Sequence, residues 1–191
     1  MKKIALEDIV GLAAYKKARE KRRQKIIELK KRRRVSVGDK VTLVFENRDT
    51  VIFQIQEMMR AEQITDLDKI RAEIDVYNEL IPEPSELSAT LFLEIEDQTR
   101  IREALLKFLG IDEAVYFNVG GYAVRGRFEE GRSEEDKISA VQYVKFPFGE
   151  EARQAFIKGA PAELAIDHPH YQARAVLAAE TRQALIDDLG N

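Results

Sequence analysis

Cysteine is absent from all 191 residues, which removes disulfides, a thiolate nucleophile, iron–sulfur ligation and cysteine-type zinc sites together. Histidine occurs only at His168 and His170, so imidazole chemistry is confined to one short segment. No apolar run approaches the roughly 20 residues of a membrane-spanning helix. The segment Met1-Lys2-Lys3-Ile4-Ala5-Leu6-Glu7-Asp8 lacks the unbroken apolar stretch of a signal peptide. Neither a GxSxG elbow nor an HExxH helix occurs, which excludes the commonest hydrolase designs. What is present is a chain 45% hydrophobic and long enough to bury about 70% of the surface it exposes when unfolded, so one substantial core forms without staples. The expectation is one cytoplasmic domain over residues 1–191, with a helical basic segment at 1–34 and a body at 35–191.

Charge is distributed unevenly. Between Lys16 and Arg34 stand twelve Lys/Arg against Glu20 and Glu28, a net +10. The first fifteen residues balance, so the rest of the chain carries −13 within the overall −3, part of it in Glu129-Glu130 and Glu134-Glu135-Asp136. The run Lys30, Lys31, Arg32, Arg33, Arg34 is a candidate patch for an anion or a partner. Cations at a helix C-terminus also complement its dipole and pair with acidic surface, on the same molecule, on an acidic protein partner or in self-association. No aromatic residue interleaves with the run as a nucleic-acid stacking motif requires, and the acidic remainder disfavours a broad nucleic-acid surface.

Periodicity assigns the elements. Apolar residues at three- and four-residue spacing predict helix from Leu6 to about Arg34, with room for a break near Gly11 or around Ala18 to Lys21, followed by a turn at Ser36 to Lys40 and a strand at Val41 to Phe45. Asp49 or Thr50 is expected to cap a helix carrying Val51, Ile52, Ile55, Met58 and Met59, and a capping box at Thr65 and Asp68 to open a second that ends before Pro82. Alternation predicts a strand from Leu87 to Ile95, and a helix from about Gln98 to Leu109 stops at Gly110. A hairpin turns at Gly120-Gly121, a strand covers about Ile138 to Phe146, and a helix covers Glu150 to Lys158. A strand from Ala162 to Ile166 and a final helix from Ala175 to Leu189 complete an α+β fold, mainly antiparallel, with a helical N-terminal region and helices packed on the sheet.

Functional groups are densest in Glu46-Asn47-Arg48-Asp49-Thr50 and the helix that follows, with Gln54, Gln56, Glu57 and Arg60. A strand end feeding a helix N-terminus gathers backbone N–H donors and side chains around one concavity, suited to an anion, a carboxylate ligand or a metal with oxygen ligands. The same residues also serve as ordinary caps and ion pairs. In Asp167-His168-Pro169-His170, proline favours an extended backbone that projects both imidazoles to one side. His168, His170 and Glu57 are therefore a candidate divalent-metal set, with Asp167 as an alternative carboxylate, whereas His168 alone reads equally well as a helix cap or core hydrogen-bonding group. Gly120-Gly121 lacks the spacing of a phosphate loop and is assigned to the turn.

The segments KKRRRV (Lys30 to Val35), FENRDT (Phe45 to Thr50), QIQEM (Gln54 to Met58), Tyr77-Asn78 with Leu80-Ile81-Pro82, and Asp167-His168-Pro169 resemble, in order and over nearly the whole chain, an uncharacterised bacterial family. That family is known only as a domain of unknown function. Its members are often encoded beside rubrerythrin-like di-iron proteins and iron–sulfur proteins, so the resemblance implies an accessory role in redox or peroxide metabolism and a rubrerythrin-like partner. The family's motif residues correspond here to Glu46, Asn47, Arg48, Gln54, Gln56, Glu57, Asp167 and His168. The leading expectation is an accessory or small-ligand-binding protein. The alternatives are a metal-dependent enzyme built on a Glu/His site and, more weakly, nucleic-acid binding through the basic helix.

Overall fold

The strongest hydrophobic alternation in the chain builds two antiparallel sheets that face each other. The computed structural model describes residues 1–95, 98–129, 133–134 and 137–190. Of the acidic stretches noted above, Glu130, Glu135 and Asp136 lie outside the described residues. A 3₁₀ turn at Leu6–Asp8 precedes α1 (Leu12–Lys31), β1 (Arg34–Val37) and β2 (Val41–Phe45). Next come α2 (Arg48–Ala61), α3 (Leu67–Asn78), β3 (Glu86–Leu93) and the short α4 (Ile101–Leu106). The hairpin β4 (Val115–Val119) and β5 (Tyr122–Arg125) is followed by β6 (Arg127–Phe128), β7 (Ser133–Glu134), β8 (Lys137–Ile138) and β9 (Val141–Pro147). The chain ends with α5 (Glu150–Ile157), β10 (Ala162–His168), β11 (Tyr171–Val176) and α6 (Ala179–Leu189).

One sheet has the order β1-β2-β3-β9-β6 and the other β11-β10-β4-β5. Between them lies the larger core, where Phe117 packs edge-on against Phe45, Phe146, Phe148 and Phe156 at centroid distances of 5.1–6.2 Å. The two sheets meet at one edge through the Tyr171 hydroxyl, which donates to the Val37 carbonyl at 2.7 Å and accepts from the Lys40 N–H. Gly120 and Gly121 both hold positive φ in the β4–β5 turn, as the sequence predicts. Gly126 lets the chain pass from one sheet to the other, since a Cβ there would lie 2.7 Å from Val144 Cγ2.

The outer face of the five-stranded sheet carries Thr42, Val44, Ser88, Thr90 and Tyr143, and a helical layer covers it. That layer has its own core, in which Val51, Ile55 and Met59 of α2 meet Ile70, Ile74 and Tyr77 of α3 and Ile4 of the N-terminal segment. α2 is buried along most of its circumference, because α1, α3, the sheet and the N-terminal segment all pack on it.

Four expectations need correction. The basic helix stops at Lys31, and Arg34 already belongs to β1, where alternation of Val35 and Val37 with exposed Arg34 and Ser36 overrides the turn-forming look of Ser36. Asn47 caps α2, its Oδ1 accepting from the Thr50 N–H at 3.0 Å, and Asp66 rather than Thr65 caps α3. The helix predicted from Gln98 to Leu109 shrinks to a 3₁₀ turn and six α-helical residues. Residues Tyr171–Val176, read partly as helix, form β11, paired along its length with β10. Alanines at 173 and 175 fit either period, and the waiting edge of β10 decides between them.

Candidate functional site

Glu46 directly follows β2 and is 3% exposed. Its carboxylate accepts hydrogen bonds from the Thr50 hydroxyl and, at 2.7 Å, from Thr90 Oγ1. These bonds tie the α2 N-terminus to the middle of the sheet. Gln56, fully buried, clamps the backbone of Val10, accepting from its N–H and donating to its carbonyl at 3.0 Å each. Asn78 holds Ile4 in the same two-way manner. Glu46, Asn47 and Gln56 thus fix the helical layer in place.

Glu57 gathers a charged cluster between α1 and α2. Arg19 donates to both carboxylate oxygens at 2.8 Å, the Tyr15 hydroxyl donates at 2.8 Å, and Arg60 adds two bonds at 3.3 Å. The Arg19 fork, with help from Tyr15 and Arg60, holds the Glu57 carboxyl down at about 2. Burial and the adjacent Glu57 push the Tyr15 phenol up, so it remains a donor. Gln54, on the α3 side of α2, is near Tyr77 and apart from this cluster.

Beside the cluster lies an open cleft of about 380 Å³ at the start of α2. One wall is α1, with Tyr15, Arg22, Lys25 and Ile26; the other is α2, with Arg48, Asp49, Ile52 and Phe53, and Asp8 closes the end. Arg22 lies over the Tyr15 ring, 5.9 Å from its centroid. Arg48 pairs with Asp8, yet its Nε is buried and has no hydrogen-bond partner among the described residues. The Asp8 carboxyl is held below its usual range by the Ala5 N–H and then by Arg48. Apolar walls, three cations and an unused guanidinium N–H define a place for an anionic group carried on an apolar body. Sequence reasoning does not place Arg22, Lys25, Ile52 and Phe53 in this site. The signal available is Arg22 and Lys25 flanking Ile26 on a helix of weak amphipathicity, which does not by itself reveal the facing helix.

The histidines play a different part. His168 is 2% exposed, with Nε2 2.8 Å from the Leu109 carbonyl and Nδ1 accepting the His170 N–H at 3.2 Å. That pattern engages both ring nitrogens. Pro169 and His170 form the β10–β11 turn, with His168 buried, His170 exposed and their ring centroids 5.7 Å apart. Asp167 is on the open face of β10 beside Arg174, at 3.5 Å. Glu57 is engaged by Arg19, Tyr15 and Arg60, and no group of three or more His, Asp or Glu residues that could hold a metal occurs among the described residues. The set His168, His170 and Glu57 is not gathered.

The basic run is also divided. Arg33 is 4% exposed and forms a two-point pair with Asp188 of α6 at 2.7 and 2.9 Å. Burial pushes the Asp188 carboxyl upward against the pull of Arg33. Lys31 pairs with Glu28 on the surface, and Arg32 and Arg34 are exposed.

A family model described as Protein of unknown function (DUF3501) matches residues 3–189. The chain belongs to this family. It is also similar to a solved structure, the crystal structure of a novel protein of unknown function from Burkholderia pseudomallei K96243. The two are 35% identical, with a TM-score of 0.93 over 98% of this chain and 100% of that one. No curated protein matches the chain. Membership extends over both sheets and the helical layer, and the family's description names no activity. No helix among the described residues is long and apolar enough to cross a membrane.

Proposed function

We propose that the protein is a non-enzymatic accessory module that binds a small anionic ligand, or an anionic group of a partner, in the cleft between α1 and α2. One observation carries the reading: Arg48, whose Nε is buried with no hydrogen-bond partner among the described residues, lines a cleft together with Arg22 and Lys25. A buried guanidinium N–H left unbonded costs free energy, which an incoming carboxylate or phosphate oxygen recovers. Ile26, Ile52 and Phe53 favour a ligand with an apolar body over a bare inorganic anion. Lack of cysteine fits a protein that carries no electrons itself. Together with the neighbourhood that the family resemblance implies, this supports service to a rubrerythrin-like redox system.

A thermal-shift series with benzoate, octanoate and inorganic phosphate tests the binding. The two carboxylates raise the melting temperature more than phosphate does, and Arg48→Gln removes the difference. Equal or absent shifts would count against the cleft. Sedimentation of the protein mixed with a purified rubrerythrin-like protein tests the partner, with co-sedimentation at low salt expected.

A further inference from the structure

α1 and α3 pack on different sides of α2, and their solvent faces are opposite in character. Near its C-terminal end α1 exposes Ile27, 42% accessible, surrounded at helical spacing by Arg23, Gln24 and Lys31, all exposed. α3 exposes Leu67 at 55% and Val76 at 66%. From Glu62 to Glu79 it carries six acidic residues against Lys69 and Arg71. Of these, Asp75 and Glu79 flank Val76, are exposed, and form no ion pair among the described residues. Ile27, Leu67 and Val76 are three of the six large apolar side chains exposed among the described residues, and all three fall on these two helices.

We propose that the basic face of α1 docks on the acidic face of α3 of a second copy of this chain, with Ile27 seated against Val76. Ile27, with Arg23 and Lys31 at helical spacing, and Val76, with Asp75 and Glu79 beside it, are complementary in both packing and charge. The chain supplies the acidic partner itself, because the net +10 of Lys16 to Arg34 is set against −13 in the remainder. Two different faces on one molecule make a heterologous contact, which either reciprocates in a two-fold dimer or propagates head to tail. The three turns of α3 offer less than the roughly 800 Å² per partner of a standard interface, so the association is weak and driven substantially by charge. It rests on neither the cleft nor its ligand.

Sedimentation velocity over a concentration series tests it with three proteins: wild type, Arg23→Glu/Lys31→Glu on α1, and Asp75→Lys/Glu79→Lys on α3. All substituted positions are exposed, and melting curves establish that each variant folds. Wild type gains mass with concentration at about 50 mM salt and returns to monomer near 500 mM, where the screening length falls to about 4 Å. Each reversed variant stays monomeric alone. An equimolar mixture of the two recovers association, because the unaltered α1 of one variant then meets the unaltered α3 of the other, and the two reversed faces also attract. Monomeric wild type at every concentration overturns the proposal, as does association that either reversal leaves intact or a mixture that fails to recover it.

Discussion

Arg48 reaches back to Asp8 across the mouth of the α1–α2 cleft, and the pair satisfies one end of the guanidinium while leaving Nε buried and unbonded. Asp8 thus stands where an external carboxylate would stand. The N-terminal segment that delivers it is anchored by Gln56 at Val10 and by Asn78 at Ile4, so the aspartate is held at its post. Exchanging this aspartate for asparagine removes the competing charge and leaves the arginine in place. Asp8→Asn is therefore expected to bind benzoate more tightly than wild type, by several-fold, in a calorimetric titration.

Glu57 supplies a pH dependence with a definite sign. Its folded-state value of about 2 lies below the ordinary 4.5, so the stability it contributes is complete above about 4.5 and is lost as pH falls toward 2. Urea midpoints measured between about pH 6 and pH 2.5 should fall more steeply for wild type than for Glu57→Gln, which starts lower and changes less.

The buried pair of Arg33 and Asp188 joins the end of the basic run to the last helix. Arg33→Met strands an aspartate that is almost fully buried and is expected to cost about 3–5 kcal/mol by chemical denaturation. The double variant Arg33→Met/Asp188→Leu should recover much of that loss. A cost under about 1 kcal/mol for the single change would mean that the pair is solvated in solution.

Glu46 and His168 act through the fold. Glu46→Ala abandons the hydroxyls of Thr50 and Thr90 and should destabilise by about 1–3 kcal/mol. His168→Ala loses the bond to Leu109 and should lower the melting temperature while leaving the metal content of the purified protein the same as that of wild type. Loss of a stoichiometric metal in that variant would restore the metal-site reading.

Sequence periodicity made the sheets legible because Leu87, Ala89, Leu91 and Leu93 alternate onto one core, and the glycine pair could only be a turn. It also drew attention to the segment from Glu46 to Arg60, where several side chains are now seen holding the helical layer together. It could not show that Arg48 would line one cleft with Arg22 and Lys25, because that cleft lies between two helices brought together by packing that no local spacing encodes. The histidines misled for a related reason: two imidazoles two residues apart look alike in sequence, and only the fold buries His168 against the Leu109 carbonyl and leaves His170 exposed. Arg33 likewise looks like its basic neighbours until Asp188 arrives from the far end of the chain.

The central claim is that Arg48 receives an anion. Isothermal titration of benzoate into wild type and into Arg48→Gln, at low salt and neutral pH, tests it most directly. Saturable binding at one site in wild type, weakened at least about tenfold in the variant, is the predicted result, since a charge-assisted hydrogen bond contributes about 1.5–3 kcal/mol. Wild type that takes up no benzoate, or a variant that binds it equally well, would contradict the account.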